Sequence, residues 1–148
     1  MKKILFVCHG NICRSVMAQW IFQDLVNKNH LEADFEIDSA AVSSEETGNP
    51  MYPPARRKLQ EKGVPFGNHQ ARKITPADYS HSDKIYIMDD SNRRLIKRII
   101  PQDPDHKIEM LKPDGRDIFD PWYSGDFETA YQDILKGCIY RLHELTNQ

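Results

Sequence analysis

Lys3-Ile4-Leu5-Phe6-Val7-Cys8-His9-Gly10-Asn11-Ile12-Cys13-Arg14-Ser15 is the stretch that organises the chain. Lys3 to Cys8 is a compact run of aliphatic and aromatic residues closed by a glycine-containing turn, which reads as a buried strand. From Ser15 to about Asn29 the residues Met17, Ala18, Ile21, Phe22, Leu25 and Val26 recur at helical spacing, and Ser15 is placed to cap the start. A buried strand that feeds a helix through one tight turn is the opening unit of a parallel α/β sheet.

The same alternation continues. Phe35 to Ala40 reads as a strand, 43–54 as a breaker-rich loop, and Pro54 to Lys62 as a helix stopped by Gly63. Thr75-Pro76-Ala77-Asp78 has a cap, a proline at the first helical position and an acidic third position, so it opens a short helix. Lys84 to Met88 and Lys107 to Leu111 read as strands, Asn92 to Ile100 as a basic helix ended by Pro101, and Lys112 to Gly125 as a long loop. In the last helix Phe127, Tyr131, Ile134, Leu135, Cys138, Leu142 and Leu145 form one apolar stripe. The expected fold is α/β, a single domain over residues 1–148, with a doubly wound four-stranded parallel sheet and helices on both faces. Ligands of such sheets bind beyond the carboxyl ends of the strands, which directs attention to the first turn.

Composition narrows the function. With 148 residues, 39% apolar and 28% charged, and no apolar run long enough to span a bilayer, a globular chain without membrane insertion is expected. The apolar run at the N-terminus is too short for the core of a signal peptide. Three cysteines leave at least one free thiol and suit a reducing, cytoplasmic compartment. The net charge of −2 offers no general attraction for nucleic acid, and the runs Arg56-Arg57-Lys58 and Arg93-Arg94 with Lys97-Arg98 read as solvated helix faces.

In the first turn, Cys8 and Arg14 are separated by five residues between strand and helix. Five intervening residues suffice for the backbone to curl round one tetrahedral anion, so that His9, Gly10, Asn11, Ile12, Cys13, Arg14 and Ser15 surround it, with the helix N-terminus adding its positive end and Gly10 permitting the curvature. The planar guanidinium of Arg14 can grip two phosphate oxygens at once. The same positive surroundings favour the thiolate of Cys8, which is then placed for in-line attack on phosphorus. A cysteine and an arginine at arbitrary positions would carry no such meaning; their setting between strand and helix supplies it. No nucleotide-binding glycine motif is present, because Gly10 is the only glycine before Gly48. Cys8, His9 and Cys13 fall short of a zinc ligand set, so neither metal nor other cofactor is expected.

The pattern Cys8, Gly10, Asn11, Cys13, Arg14, Ser15 resembles the signature of the low-molecular-weight protein tyrosine phosphatase family, and Asp120-Pro121-Trp122-Tyr123 is similar to its second signature. The resemblance implies a phosphotyrosine phosphatase acting on phosphoproteins or small aryl phosphates, with Asp120 as general acid. Taken alone, Asp120 would be an ordinary turn residue before proline; beside a thiolate it can protonate the departing aryl oxide. It further implies that Ile12, Trp122 and Tyr123 line the substrate slot. Asn11, Ser15, Ser39 and His69 would brace the loop, and Asp89 and Asn92 would support it. A monomer is expected.

The chain departs from the family pattern at Val16, usually proline, and Gln19, usually glutamate. Many relatives place an aromatic residue near Glu45 and an acidic one at Tyr52. Two relatives in chemistry compete with the first reading. Phosphoarginine phosphatases carry a small polar threonine where this chain has Ile12, whose bulk suits an aryl ring. Arsenate reductases of this fold need two further cysteines on a mobile segment, and the only cysteine outside the loop is Cys138 on the apolar stripe.

Overall fold

A computed structural model describes residues 1–147. The elements are β1 (Lys2–Cys8), α1 (Arg14–Lys28), β2 (Phe35–Ala41), α2 (Pro53–Glu61), α3 (Pro76–His81), β3 (Lys84–Ile87), α4 (Asp90–Ile96), β4 (Ile108–Met110), α5 (Pro121–Ser124) and α6 (Phe127–Thr146). The four strands form one parallel sheet in the order β2-β1-β3-β4, so β1 is central, paired with β2 from Lys2 opposite Phe35 to Cys8 opposite Ala41.

Alternation along β1 divides the core in two. Ile4, Phe6 and Cys8 face the layer built from α1, α2 and α6, whereas Leu5 and Val7 face the layer that holds Ile74, Ile96 and Ile100 with Tyr79 of α3 and Leu95 of α4. Both faces of the sheet are therefore covered, as the uninterrupted apolar run of β1 requires.

Helix ends follow from local chemistry. Thr75 and Asp78 form a reciprocal cap on α3, and Asp89 and Asn92 do the same on α4. The α4 segment is shorter than expected: with Pro101 ahead, the chain after Ile96 leaves the helix in turn bonds from Arg98 N to Leu95 O and Ile99 N to Ile96 O. Likewise β4 keeps three residues rather than five, being an edge strand paired only with β3. The loop 112–125 contains one helical turn, α5, opened by Asp120 and Pro121 and closed by Gly125 at φ 73°.

Two residues of α6 escape the stripe analysis. A Cβ at Gly137 would lie 2.8 Å from Leu111 Cγ, so glycine lets the helix approach the end of β4. Arg141 is buried there and donates to Met110 O at 2.7 Å and Leu111 O at 3.3 Å, satisfying carbonyls at the sheet edge. No helix among the described residues is long and apolar enough to cross a membrane.

Candidate active site

Cys8 is the last residue of β1 and Arg14 the first of α1, and the chain between them is held open from outside. The carbonyl of Cys8 accepts from Val42 N at 3.0 Å, that of His9 from Ser43 N at 3.1 Å, and that of Ile12 from Tyr52 N at 2.9 Å. The carbonyl of Asn11 accepts from His69 Nε2 at 2.6 Å. With these carbonyls drawn outward, planar peptide geometry turns amides of the loop inward, where those of His9, Gly10, Ile12 and Cys13 have no partner among the described residues. The result is a nest for one anion.

The sharp bend falls on Asn11 rather than Gly10. Asn11 has φ 61°, a left-handed conformation that asparagine tolerates better than most residues. Its fully buried side chain fixes that geometry: Nδ2 donates to Ser15 Oγ at 2.8 Å, and Oδ1 accepts from Arg72 N at 3.2 Å. Gly10 serves a different need, since a Cβ there would press on Glu46 Cγ at 3.3 Å.

Ser15 does not cap α1. The N-cap is Cys13, without a side-chain cap bond, which leaves the first helical amides free for a ligand. The Ser15 hydroxyl instead lies 3.1 Å from Cys8 Sγ, and Asn11 N donates to the same sulfur at 3.3 Å. Because Asn11 Nδ2 already donates to Ser15 Oγ, the hydroxyl proton is free to point at a thiolate.

Arg14 is almost entirely buried, and one of its nitrogens is committed. Nη1 donates to Asp89 Oδ2 at 2.8 Å and to Ile118 O at 2.6 Å. The edge formed by Nε and Nη2 carries only a 3.4 Å contact to Asp120 Oδ2, so it can receive two phosphate oxygens. Burial works against the guanidinium charge, but Cys8, Asp120 and Asp89 outweigh it and its pKa rises. Asn92 supports this arrangement from behind: its Oδ1 accepts from Met88 N at 3.0 Å and Asp89 N at 3.2 Å.

Asp120 sits at the start of α5, its Oδ1 accepting from Trp122 N at 3.0 Å. One pocket is lined by Cys8, His9, Gly10, Ile12, Cys13, Arg14, Asp120, Trp122 and Tyr123. Trp122 is half exposed and packs at a tilt of 46° against Tyr52 with ring centres 4.6 Å apart, whereas Tyr123 is 86% exposed at the rim. His9 turns its ring to Glu45, 3.0 Å away, so its imidazole belongs to the mouth rather than the phosphate nest.

Burial pushes the Cys13 thiol pKa well up, and the neighbouring charges of Cys8 and Asp120 push it further, so Cys13 stays protonated. Burial lowers the pKa of His69 against the pull of its bond to Asn11, leaving a neutral ring that donates from Nε2. Ser39 stands outside the expected brace: its hydroxyl donates to Gln19 Oε1 at 2.6 Å and reaches neither Asn11 nor His69. Cys138 is buried in the core.

Sequence reasoning missed Glu45 and Glu46 as pocket walls, Tyr52 as the rest for Trp122, and the Ile118 carbonyl as an anchor of Arg14. The first three lie in the loop where this chain departs from its relatives, and that departure was the available signal. A backbone carbonyl leaves no trace in a residue pattern. Among the described residues, no group of three or more His, Cys, Asp or Glu is placed to hold a metal ion.

The protein is a four-stranded parallel α/β domain with a cysteine and an arginine round an anion nest at its first turn, and the relatives it matches place it in the class of phosphatases. Residues 3–148 match the family model described as low molecular weight phosphotyrosine protein phosphatase, and the chain belongs to that family. The chicken (Gallus gallus) phosphatase of that name is 40% identical over 146 residues, covering 93% of this chain and 92% of that one. The human enzyme is 39% identical over 145 residues, covering 93% and 91%. Among solved structures, YfkJ from Bacillus subtilis superposes with a TM-score of 0.91 at 34% identity, covering 100% of this chain and 98% of that one. A Drosophila arginine phosphatase gives 0.88 at 33%, covering 100% and 99%.

Proposed function

We propose that this phosphatase hydrolyses phosphotyrosine and small aryl phosphates through a phosphocysteine intermediate, in a reducing, cytoplasmic compartment. The observation that carries the reading is one pocket shared by Cys8 at its floor, the free edge of Arg14 and the Asp120 carboxyl.

Cys8 Sγ, as thiolate, attacks phosphorus while the inward amides and Arg14 take the charge that builds on the equatorial oxygens. The bond from phosphorus to the aryl oxygen breaks, and Asp120 gives its proton to that oxygen. The Asp120 carboxylate then removes a proton from water, whose oxygen attacks phosphorus. The sulfur–phosphorus bond breaks and inorganic phosphate leaves, with Cys8 restored as thiolate. Ser15 supports the second step by donating to the departing sulfur. Ile12 and Trp122 supply apolar walls for the substrate ring.

Hydrolysis of phenyl phosphate in the presence of a chelator, with capture of phosphate on Cys8 by acid quench and mass spectrometry, is the test. Activity in Cys8→Ser comparable to the parent, or capture elsewhere, would overturn the mechanism. The likeness to an arginine phosphatase favours a second reading, phosphoarginine as substrate. Turnover of matched phosphotyrosine and phosphoarginine peptides decides between the two, and the bulk of Ile12 leads us to expect the former to be faster.

A further inference from the structure

A second groove runs away from the pocket mouth, sharing Ile12, Glu46 and Trp122 with the pocket and reaching the outer face of α2. Its lining includes Met51 and Tyr52 and, from α2, Arg56 and Arg57, none of which lines the first pocket. Both arginines are exposed, and neither is ion-paired among the described residues. Their neighbours Lys58 and Lys62 differ, each lying 3.0 Å from Glu128. Arg56 rests over the Phe66 ring, 5.6 Å from its centre, which limits its freedom without neutralising it.

The groove is thus polarised. Near the pocket stands Glu46, held by Asn49 Nδ2 at 2.6 Å; farther out stand two uncompensated guanidinium groups. A polypeptide whose phosphorylated side chain fills the pocket must leave along the surface, and at about 3.3 Å per extended residue it reaches α2 within a few residues. We propose that this groove is a specificity subsite for acidic residues of the substrate, roughly two to four positions from the phosphorylated one. An acidic residue immediately adjacent would instead meet Glu46. The proposal rests on the phosphatase reading above and adds the substrate's charge pattern to it.

The test compares kcat/KM for phosphotyrosine peptides with neutral flanks, and with glutamates adjacent to or displaced from the phosphotyrosine on either side, in the parent and in the double variant Arg56→Glu, Arg57→Glu. Phenyl phosphate, too short to enter the groove, serves as the reference. In the parent, one displaced-acid series should exceed the neutral peptide by about threefold to tenfold, through KM, and the advantage should shrink with added salt. In the variant it should vanish or invert while phenyl phosphate turnover is retained. Equal kcat/KM for neutral and displaced-acid peptides in an active parent, or a preference that survives in the variant, overturns the subsite alone. A parent inactive on phenyl phosphate and on every peptide overturns the phosphatase reading and the subsite with it.

Discussion

Asp89 divides its carboxylate between two tasks, and the substitution Asp89→Asn separates them. Oδ1 caps α4, accepting from Asn92 N at 2.7 Å, while Oδ2 receives Arg14 Nη1 at 2.8 Å. Asparagine caps a helix about as well as aspartate, so the first task survives. The second does not, because an amide NH2 would face a guanidinium that is itself only a donor. A hydrogen bond to a charged group contributes roughly 1.5–3 kcal/mol. Arg14 is 2% exposed, so water cannot replace the lost partner, although Ile118 O still holds Nη1 at 2.6 Å. Assigning most of that loss to orientation of the clamp in the transition state gives a fall in kcat of roughly 10- to 100-fold, at about 1.4 kcal/mol per tenfold. The assay is steady-state hydrolysis of phenyl phosphate, reporting kcat and KM separately, beside thermal unfolding. Asp89→Ala should lose the cap too and unfold earlier by about 1 kcal/mol of further stability. If Asp89→Asn retained parental kcat while Asp89→Ala unfolded earlier, Asp89 would be a helix cap and its contact with Arg14 incidental.

Asp120→Asn should slow aryl phosphate hydrolysis by roughly 10²–10⁴-fold, and the effect should shrink as the leaving phenol becomes more acidic. A loss independent of leaving group, measured across a phenol series, would make Asp120 structural. Peroxide should convert Cys8 to a sulfenic acid that the Cys13 thiol, in the same loop, condenses with to give a disulfide and water. A reductant should then restore the parent but recover Cys13→Ser much less, with a linked peptide visible by mass spectrometry. For His69 the folded-state pKa is lowered, so the stability it contributes is present above its ordinary value of 6.5 and lost as pH falls through the lower folded value. Thermal unfolding from pH 7 to 5 should therefore fall more steeply in the parent than in His69→Gln; equal slopes would count against it.

The parts of the fold that were legible in the sequence are those in which one residue pattern has one physical solution. The apolar run ending at Cys8 could bury itself only as an interior strand, and the stripe of α6 only as a helix against the sheet. The placement of Cys8 at a strand end and Arg14 at a helix start was legible for a similar reason, since the flanking patterns fix both elements. What escaped depends on contacts between distant segments. Ser39 was expected beside Asn11, yet β2 delivers its hydroxyl to Gln19 of α1. Gly10 was expected to take the bend, yet Asn11 takes it because its own amide side chain can be satisfied on both ends. The Glu45–His9 contact and the resting place of Trp122 on Tyr52 arise from a loop without periodicity, where no local rule fixes a partner.

Arg14 shows why the site cannot be separated from the sheet that carries it. Its three anchors, Asp89, Ile118 O and Asp120, lie 75, 104 and 106 residues farther along the chain. They arrive together because β3 is hydrogen-bonded beside β1 and because the segment after β4 is tied back to β3, with Ile118 N donating to Met88 O at 2.8 Å and Asp90 N to Asp117 Oδ1 at 3.0 Å. The carbonyls of the loop after β1 are pulled from the opposite side, by segments that follow β2. The loop is thus stretched between the two neighbours of β1, and its inward amides are a product of strand order as much as of the residues it contains. A guanidinium buried there would be left unpaired if β3 and the segment after β4 both came away, at a cost of about 3–5 kcal/mol for an uncompensated charge. That cost ties the geometry of the proposed site to the cooperative fold, because Arg14 keeps its partners only while β3 and the segment after β4 are in place.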